Sequence, residues 1–354
     1  MTRTAFEATT ATTVTIAGTE LVAFAGCDYL GLSHHADVLG SLHAFTSSIG
    51  AGASLQTSGR HVEHVLLEEA LATFLDVDSV LLMPDGYTAN IAALQGIAEE
   101  GCPTALLDSA AHVSLGDAAR AAGLRQVSYG AGDERLARAL RQAHAESGVV
   151  LLTDGAFPTH ARLAPVEQLH DIAIDAYLVI DESHSLGVLG EGGRGVSHGL
   201  QGAHVVRTSS LGKALGGAGG FVAGSSDAIE KVRTYGRAYG GSTAMPPAMA
   251  RALRTSLAIL EAEPERVTRV AANAARLHAL LDKRFGGETA PHLPVRAIRT
   301  PEGHQLAERL RGQGVFVPHT RYPGEPPGGV VRFAVTAEHG DAEFARLESA
   351  LGQP

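Results

Sequence analysis

The sequence predicts an α/β protein with one large domain on a mostly parallel sheet and a small α+β domain at the C-terminal end. Three observations lead there. From Ser79 to Ser209, short and nearly continuous apolar segments alternate with helical patterns. Such strands are buried on both faces, which calls for helices on either side of a parallel sheet. The chain has 354 residues, 45% of them apolar, enough for one substantial core and a second, smaller unit. Near position 256 the alternation stops and a different pattern begins. These observations divide the chain into an N-terminal segment, 1–37, a large domain, 38–255, and a small domain, 256–354.

The elements follow in order. Thr13–Ile16 and Leu21–Phe24 flank the turn-like Ala17-Gly-Thr-Glu20 and read as a ribbon. A helix begins at about His35. The loop Gly50-Ala-Gly-Ala-Ser-Leu-Gln-Thr-Ser-Gly59 leads to a second helix, in which Val62, Leu66, Ala70 and Phe74 recur at helical spacing and predict the core face. Glu63, Glu68 and Glu69 then fall on its solvated side. Strands are predicted at 79–83, 104–108, 126–129, 149–154, 177–181 and 205–209. Helices are predicted from Tyr87, from about His112, over 133–145 and over 165–175. One long helical stretch runs from Ala248 to about Phe285. Strands 295–299, 315–318 and 330–335 with helices 303–313 and 341–351 make the small domain.

Composition narrows the function. The net charge of −10 argues against a general role at nucleic acid or membrane surfaces. No apolar run reaches the roughly 18 residues of a membrane span, and the N-terminus has no secretory pattern. Two cysteines, Cys27 and Cys102, give neither a disulfide framework nor a metal-type spacing, which suits a reducing cytoplasm. The seventeen histidines are scattered and read as surface residues by default.

The chemistry centres on Thr208-Ser-Ser-Leu-Gly-Lys213-Ala-Leu-Gly-Gly-Ala-Gly-Gly220. A lysine among small residues can form a Schiff base with an aldehyde cofactor. The hydroxyls of Thr208, Ser209 and Ser210 can meet a phosphate, and the glycines admit a flat ring. A P-loop is excluded, because Arg207 occupies the required glycine position and Ala214 follows the lysine. By itself the window also reads as a Gly-rich surface turn.

Upstream, the apolar strand Tyr177-Leu-Val-Ile-Asp-Glu-Ser-His184 delivers Asp181 at its carboxyl end, where open α/β sheets bind ligands. An aspartate for a pyridinium nitrogen opposite a Schiff-base lysine is the pattern of pyridoxal 5'-phosphate, PLP. Gly86-Tyr87 at a helix start offers an anion seat. His112, after a strand end, can stack on a flat ring, although a lone histidine there also reads as a core residue. Arg332 stands in an apolar strand and needs an anionic partner to offset its burial.

Together these residues resemble the α-oxoamine synthases, a PLP-dependent fold type I family. The resemblance spans Phe24 to Leu351. It is carried by Asp28-Tyr-Leu-Gly31, Gly50-Ala-Gly52, Ser58-Gly59, His64 with Glu68, Gly86-Tyr87 with Asn90, and Asp108 with His112. It continues through Leu163-Ala-Pro165, Asp181-Glu-Ser-His184, Gly193-Arg-Gly195, Ser210-Leu-Gly-Lys213, Ser242-Thr243 with Pro246-Pro247, and Arg332 before Thr336-Ala337.

The resemblance implies an aminotransferase-like fold and a decarboxylative condensation of an amino acid with an acyl thioester, giving an α-amino ketone. It implies catalytic roles for Lys213, His112, Asp181 and His184, and no metal. Gly86, Tyr87, Ser210, Ser242 and Thr243 would complete the cofactor site, the last two reaching across a homodimer. Arg332 would bind the substrate carboxylate. Aldol cleavage or racemisation of an amino acid, and an inactive subunit, are the alternative readings. Cys27 stands where the family has Asn, Pro158 where it has Ser, and Asp85 where it has a small residue; the segment before Phe24 is short.

Overall fold

The computed structural model describes residues 5–99, 101, 103–130, 133–145, 148–173, 176–202, 204–287, 293–321 and 328–352. Cys102, named above, and position 175, the end of a predicted helix, lie outside these residues. The chain forms two compact units. The larger comprises 35–157 and 163–263; the smaller comprises 1–34, 158–162 and 264–354.

The larger unit holds a seven-stranded sheet. Its strands are β1 (Ser79–Met83), β2 (Thr104–Asp108), β3 (Arg125–Tyr129), β4 (Val149–Asp154), β5 (Tyr177–Asp181), β6 (Val205–Ser210) and β7 (Gly220–Gly224), in spatial order β1-β7-β6-β5-β4-β2-β3. All neighbours are parallel except those of β7, which pairs antiparallel with β6 and β1. The sequence reading missed β7, because its flanking glycines read as loop. The strand closes the gap between β6 and β1, so six strands keep their carboxyl ends on one edge. Register places Asp154, Asp181 and Thr208 side by side there, and Ser210, Gly220 and Met83 likewise.

Helices α1 (Ala36–His43), α2 (Val62–Leu75), α3 (Gly86–Ala98), α4 (Val113–Ala121), α5 (Glu134–His144), α6 (Val166–Ile172), α7 (Ser226–Tyr235), α8 (Arg237–Gly241) and α9 (Pro247–Ala262) belong to the same unit. Residues Leu106, Leu151, Leu178 and Ile180 of the sheet share one core with Phe157, Leu169 and Ile172.

Helix α2 corrects the predicted core face. Val62 and Leu66 are exposed, whereas His64, Leu67, Glu68, Leu71, Phe74 and Leu75 are buried. Glu68 tolerates burial because Oε1 accepts the Leu82 N–H at 3.2 Å and Oε2 accepts from Arg60 at 2.6 Å. His64 does so because Nδ1 takes the His61 N–H and Nε2 lies 2.9 Å from the Met245 carbonyl. Not all histidines are surface residues: His278 and His339 are buried too, and His35, His61 and His112 are helix N-caps.

The predicted long helix is two helices. α9 ends at Ala262, and α10 (Glu265–Phe285) starts after Pro264. Proline disfavours helical backbone in the residue before it, here Glu263, and suits a helix start. The smaller unit adds α11 (Gly303–Gly312) and α12 (Asp341–Leu351). Its three-stranded sheet pairs Val330–Ala334 with Val295–Arg299 and His319–Thr320. The predicted strand 315–318 is shortened to Val315–Phe316. It joins the N-terminal ribbon instead, parallel to Thr19–Ala23. Phe24, Leu277, Leu310, Val331, Phe333 and Leu347 form this unit's core.

Candidate active site

The carboxyl edge of the large sheet gathers six of the residues singled out by sequence: Asp181, His184, Lys213, His112, Gly86 and Ser210. Asp181 ends β5 and is 5% exposed. Its Oδ1 accepts the Ser183 N–H at 2.9 Å and its Oδ2 accepts the Asn90 amide at 2.8 Å. Among the described residues no cation forms a salt bridge with it. A buried carboxylate with only neutral donors is a fitting partner for a cationic ligand atom.

His184 and Lys213 come together, Nε2 to Nζ at 3.1 Å, and both are half-buried. Lys213 lies in the link between β6 and β7, fixed by a backbone hydrogen bond from Leu211 to Gly219. Both Asp181 and Lys213 are felt electrostatically at His112. Burial holds its imidazole below the usual pKa, Asp181 opposes that shift, and Lys213 adds to it. A neutral His112 is therefore favoured. Its ring caps α4, accepting the Ser114 N–H, with Nδ1 2.8 Å from the Ser114 hydroxyl.

Gly86 and Tyr87 open α3, where the first N–H groups of a helix have no partner within it. The seat is built by two close approaches. A Cβ on Gly220 would fall 2.4 Å from the Asp85 carbonyl carbon, and one on Gly86 would fall 3.0 Å from the Ser210 nitrogen. Glycine at both places lets α3 start against the β6–β7 hairpin. Asp85 is the N-cap, its Oδ1 accepting the Thr88 N–H at 2.7 Å. Tyr87 is exposed, and its hydroxyl donates to Asp117.

Of the three hydroxyls suggested for a phosphate, only Ser210 is placed for it. Thr208 is buried and donates to the side-chain Oδ1 of Asn90, and Ser209 is turned to the Ser210 backbone carbonyl. Ser210 is half-buried, and its hydroxyl accepts the Gly212 N–H at 3.1 Å, leaving its own proton to donate. Ser242 and Thr243 lie in the link between α8 and α9, half-buried and exposed respectively. No hydrogen bond among the described residues joins them to Lys213, His184 or Asp181. Pro158 is buried, and its ring offers no hydroxyl.

Three supporting residues were not singled out for these roles by sequence. Asn90 links Asp181, Ser114 and Thr208 in one hydrogen-bonded set. Its signal was an amide set among the apolar residues Ala89, Ile91 and Ala92. Asp154 ends β4 in register with Asp181, just as Asp181 ends β5, and that parallel could have flagged it. Its Oδ2 accepts the His112 N–H at 2.9 Å, while Oδ1 is buried without a partner among the described residues. Burial, and then Asp181, push its carboxyl well above the usual range.

Glu182 is the third. It is fully buried beneath the site, with Arg207 at 3.7 Å, and it accepts the Val196 and Ser197 N–H groups at 3.1 and 2.8 Å. Because Glu182 follows Asp181 directly, this ion pair also fixes the end of β5. Glu182→Ala leaves Arg207, 3% exposed, buried without its carboxylate. A loss of about 3–5 kcal/mol in urea unfolding is expected.

In the smaller unit, Arg332 and Cys27 meet each other. Arg332 Nη2 donates to Cys27 Sγ at 3.3 Å and Nη1 to the Gly26 carbonyl at 3.3 Å.

The donor set of the larger unit fits PLP. It offers an amine for the aldehyde, a buried acid for the ring nitrogen, and a helix start with a hydroxyl for the phosphate.

The comparisons with known proteins agree. The family model Aminotransferase class I and II matches residues 19–351. The chain is 36% identical to the 8-amino-7-oxononanoate synthase of Nitrosomonas europaea, over 96% of this chain and 90% of the relative. It is 37% identical to that of Thioalkalivibrio sulfidiphilus, over 94% and 88%. The serine palmitoyltransferase of S. paucimobilis with a bound PLP–myriocin aldimine shares the fold, with a TM-score of 0.90 at 24% identity over 98% of this chain and 91% of that one. So does the 8-amino-7-oxononanoate synthase of Francisella tularensis, with a TM-score of 0.78 at 23% identity over 94% and 96%. The chain belongs to the aminotransferase class I and II family, and within it to the α-oxoamine synthases, PLP-dependent acyltransferases of fold type I.

Proposed function

We propose that this enzyme condenses a small amino acid with an acyl thioester, carried by CoA or a carrier protein, releasing CO2 and giving an α-amino ketone, as in 8-amino-7-oxononanoate synthesis. The observation that carries the reading is the juxtaposition of Lys213, His184 and Asp181 at one sheet edge, in a chain 36% identical to such synthases over nearly its full length. Bound PLP supplies an electron sink for a carbanion at the amino-acid Cα. Asp181 keeps a proton on the ring nitrogen, and Asn90 holds the carboxylate in place for it. Neutral His112 gives the ring a flat face. His184 donates to the ring hydroxyl. The N–H groups of Gly86 and Tyr87 and the Ser210 hydroxyl hold the phosphate.

Lys213 would anchor the cofactor through its amine and, with an amino acid bound, would take the proton from Cα. Cα displaces the thiolate from the thioester carbonyl, the amino-acid carboxylate leaves as CO2, and Lys213 returns its proton to Cα while the thiolate takes one from solvent. We assign the recognition of that carboxylate to Arg332, with Cys27 beside it.

The test is a matrix of amino acids and acyl thioesters with products read by mass spectrometry. CO2 release that depends on the thioester supports the reading. Amino-acid turnover without thioester favours aldol cleavage or racemisation.

We further propose a homodimer, with Ser242 and Thr243 completing the phosphate site of the partner. Supporting it, Ile49, Val62 and Val113 are 97%, 59% and 60% exposed on the larger unit, an apolar cost that a partner would remove. Sedimentation is expected to give a dimer, and a monomer that holds PLP tightly would overturn the arrangement. Among the described residues no helix is long and apolar enough to cross a membrane. A cytoplasmic location is proposed with it.

A further inference from the structure

The Arg332–Cys27 pair has a third member. Tyr29, 1% exposed, hydrogen-bonds through its phenol to both Cys27 and Arg332. Its position is fixed by backbone on both sides. The Tyr29 N–H donates to the Cys27 carbonyl at 2.8 Å, and the Tyr29 carbonyl accepts the Ala337 N–H at 2.7 Å. Asp28 next to it accepts N–H groups from Leu32 and Ser33 at 3.0 and 3.2 Å, which sets the turn. Arg332 is pinned in its strand by its own N–H, donated to the Pro318 carbonyl at 3.0 Å.

Donor logic fixes the direction of each bond. A guanidinium only donates, so the phenol oxygen accepts from Arg332. The phenol proton is then left for Cys27 Sγ. Sulfur is a weak acceptor, so the thiol alone would hold the guanidinium poorly. The phenol and the Gly26 carbonyl do most of that holding. Burial, the largest cause, raises the phenol's pKa well above its ordinary value, so the hydroxyl keeps its proton. A guanidinium reads a carboxylate through two parallel N–H groups, and this works only when its plane is fixed.

We propose that Tyr29 is the positioning residue of the substrate-carboxylate site: its phenol, acting with Cys27, fixes the plane of Arg332 so that the enzyme selects α-amino carboxylates. This rests on the assignment of Arg332 to that carboxylate. Tyr29 touches no reacting atom, so its effect lies in binding and not in the chemical step.

The test uses the PLP-loaded enzyme titrated with L-alanine and with L-alaninamide, followed by the cofactor's absorption, together with KM and kcat for the amino acid. Tyr29→Phe keeps the ring and removes only the oxygen. The expected result is an L-alanine Kd about tenfold weaker, since hydrogen bonds to charged groups are among the stronger ones. L-alaninamide binding should be unchanged, KM should rise in step with the L-alanine Kd, and kcat should stay within about twofold. A role confined to packing would weaken both ligands alike, and that outcome, or no change in either, overturns the proposal. Arg332→Lys separates the two layers. If it shifts the alanine-to-alaninamide ratio while Tyr29→Phe does not, the Tyr29 assignment alone falls. If it leaves the ratio unmoved, the Arg332 reading and the Tyr29 proposal fall together. Thermal melting of each variant identifies any that has lost its fold, and Tyr29→Leu then serves as the second truncation of the phenol.

Discussion

Lys213→Ala is expected to abolish turnover while leaving the fold intact. The side chain is half-buried in the β6–β7 link, and its Nζ contacts the His184 ring at 3.1 Å. The fold does not depend on that contact, because the link is held by backbone hydrogen bonds, Leu211 to Gly219 and Gly217 to Leu211. The proposed chemistry does depend on the amine. The amine has two tasks in the proposed reaction, anchoring the cofactor and moving the Cα proton. Proton transfer by a placed side chain is worth about 10²–10⁴-fold, and losing the anchor comes on top of that. Turnover should therefore fall by at least about a thousandfold. Borohydride reduction of the loaded wild-type enzyme, followed by peptide mapping, should label Lys213. A label on Lys231 or Lys283 would sink the assignment, as would near-normal turnover in the alanine variant.

The main axis of the candidate site was legible in the sequence for a physical reason. A parallel sheet needs apolar strands, and a polar residue closing such a strand stands out. Asp181 after Tyr177–Ile180 is the clearest case, and Ser210 ahead of Lys213 is another. The fold type was legible for the same reason.

Pattern failed where burial and polarity part company. In α2 the stripe Val62, Leu66, Ala70 looked like a core face, yet the buried face carries His64 and Glu68. Hydrophobicity alone cannot show which stripe of a helix packs inward, nor that a carboxylate will find the Leu82 N–H and Arg60. β7 was missed because glycine-rich flanks mask a strand whose own residues, Phe221, Val222 and Ala223, are entirely buried. Asp154 was missed because its importance is a matter of register across β4 and β5, which no single window contains. The break at Pro264 was readable: a proline inside a helical pattern ends or kinks it.

Asp181→Asn is the second variant with a large expected effect, and it separates binding from chemistry. The amide is nearly isosteric with the carboxylate. Its oxygen can still accept the Ser183 N–H, which now goes to Oδ1 at 2.9 Å. Asn90 can turn its own amide to meet the new NH2 group, at the cost of its bonds to Ser114 and Thr208. The fold and cofactor binding should therefore survive. What the amide lacks is charge. An opposite charge within a few ångströms typically moves a pKa by about 1–3 units, so the ring nitrogen loses about that much of its hold on a proton. The remaining carboxylate nearby does not compensate. Asp154 is a neighbour in register, but burial favours its neutral form, and it is already committed to the His112 N–H. The expected outcome is a kcat lowered by about a hundredfold, with the PLP content of the purified protein and its melting temperature close to wild type. Proton exchange at the amino-acid Cα, followed by NMR in deuterated water, should fall in parallel, because that step depends most on the protonated ring. A variant that exchanges the Cα proton at the wild-type rate would show that the charge of Asp181 is not what activates Cα, and the proposed division of labour at this sheet edge would be wrong.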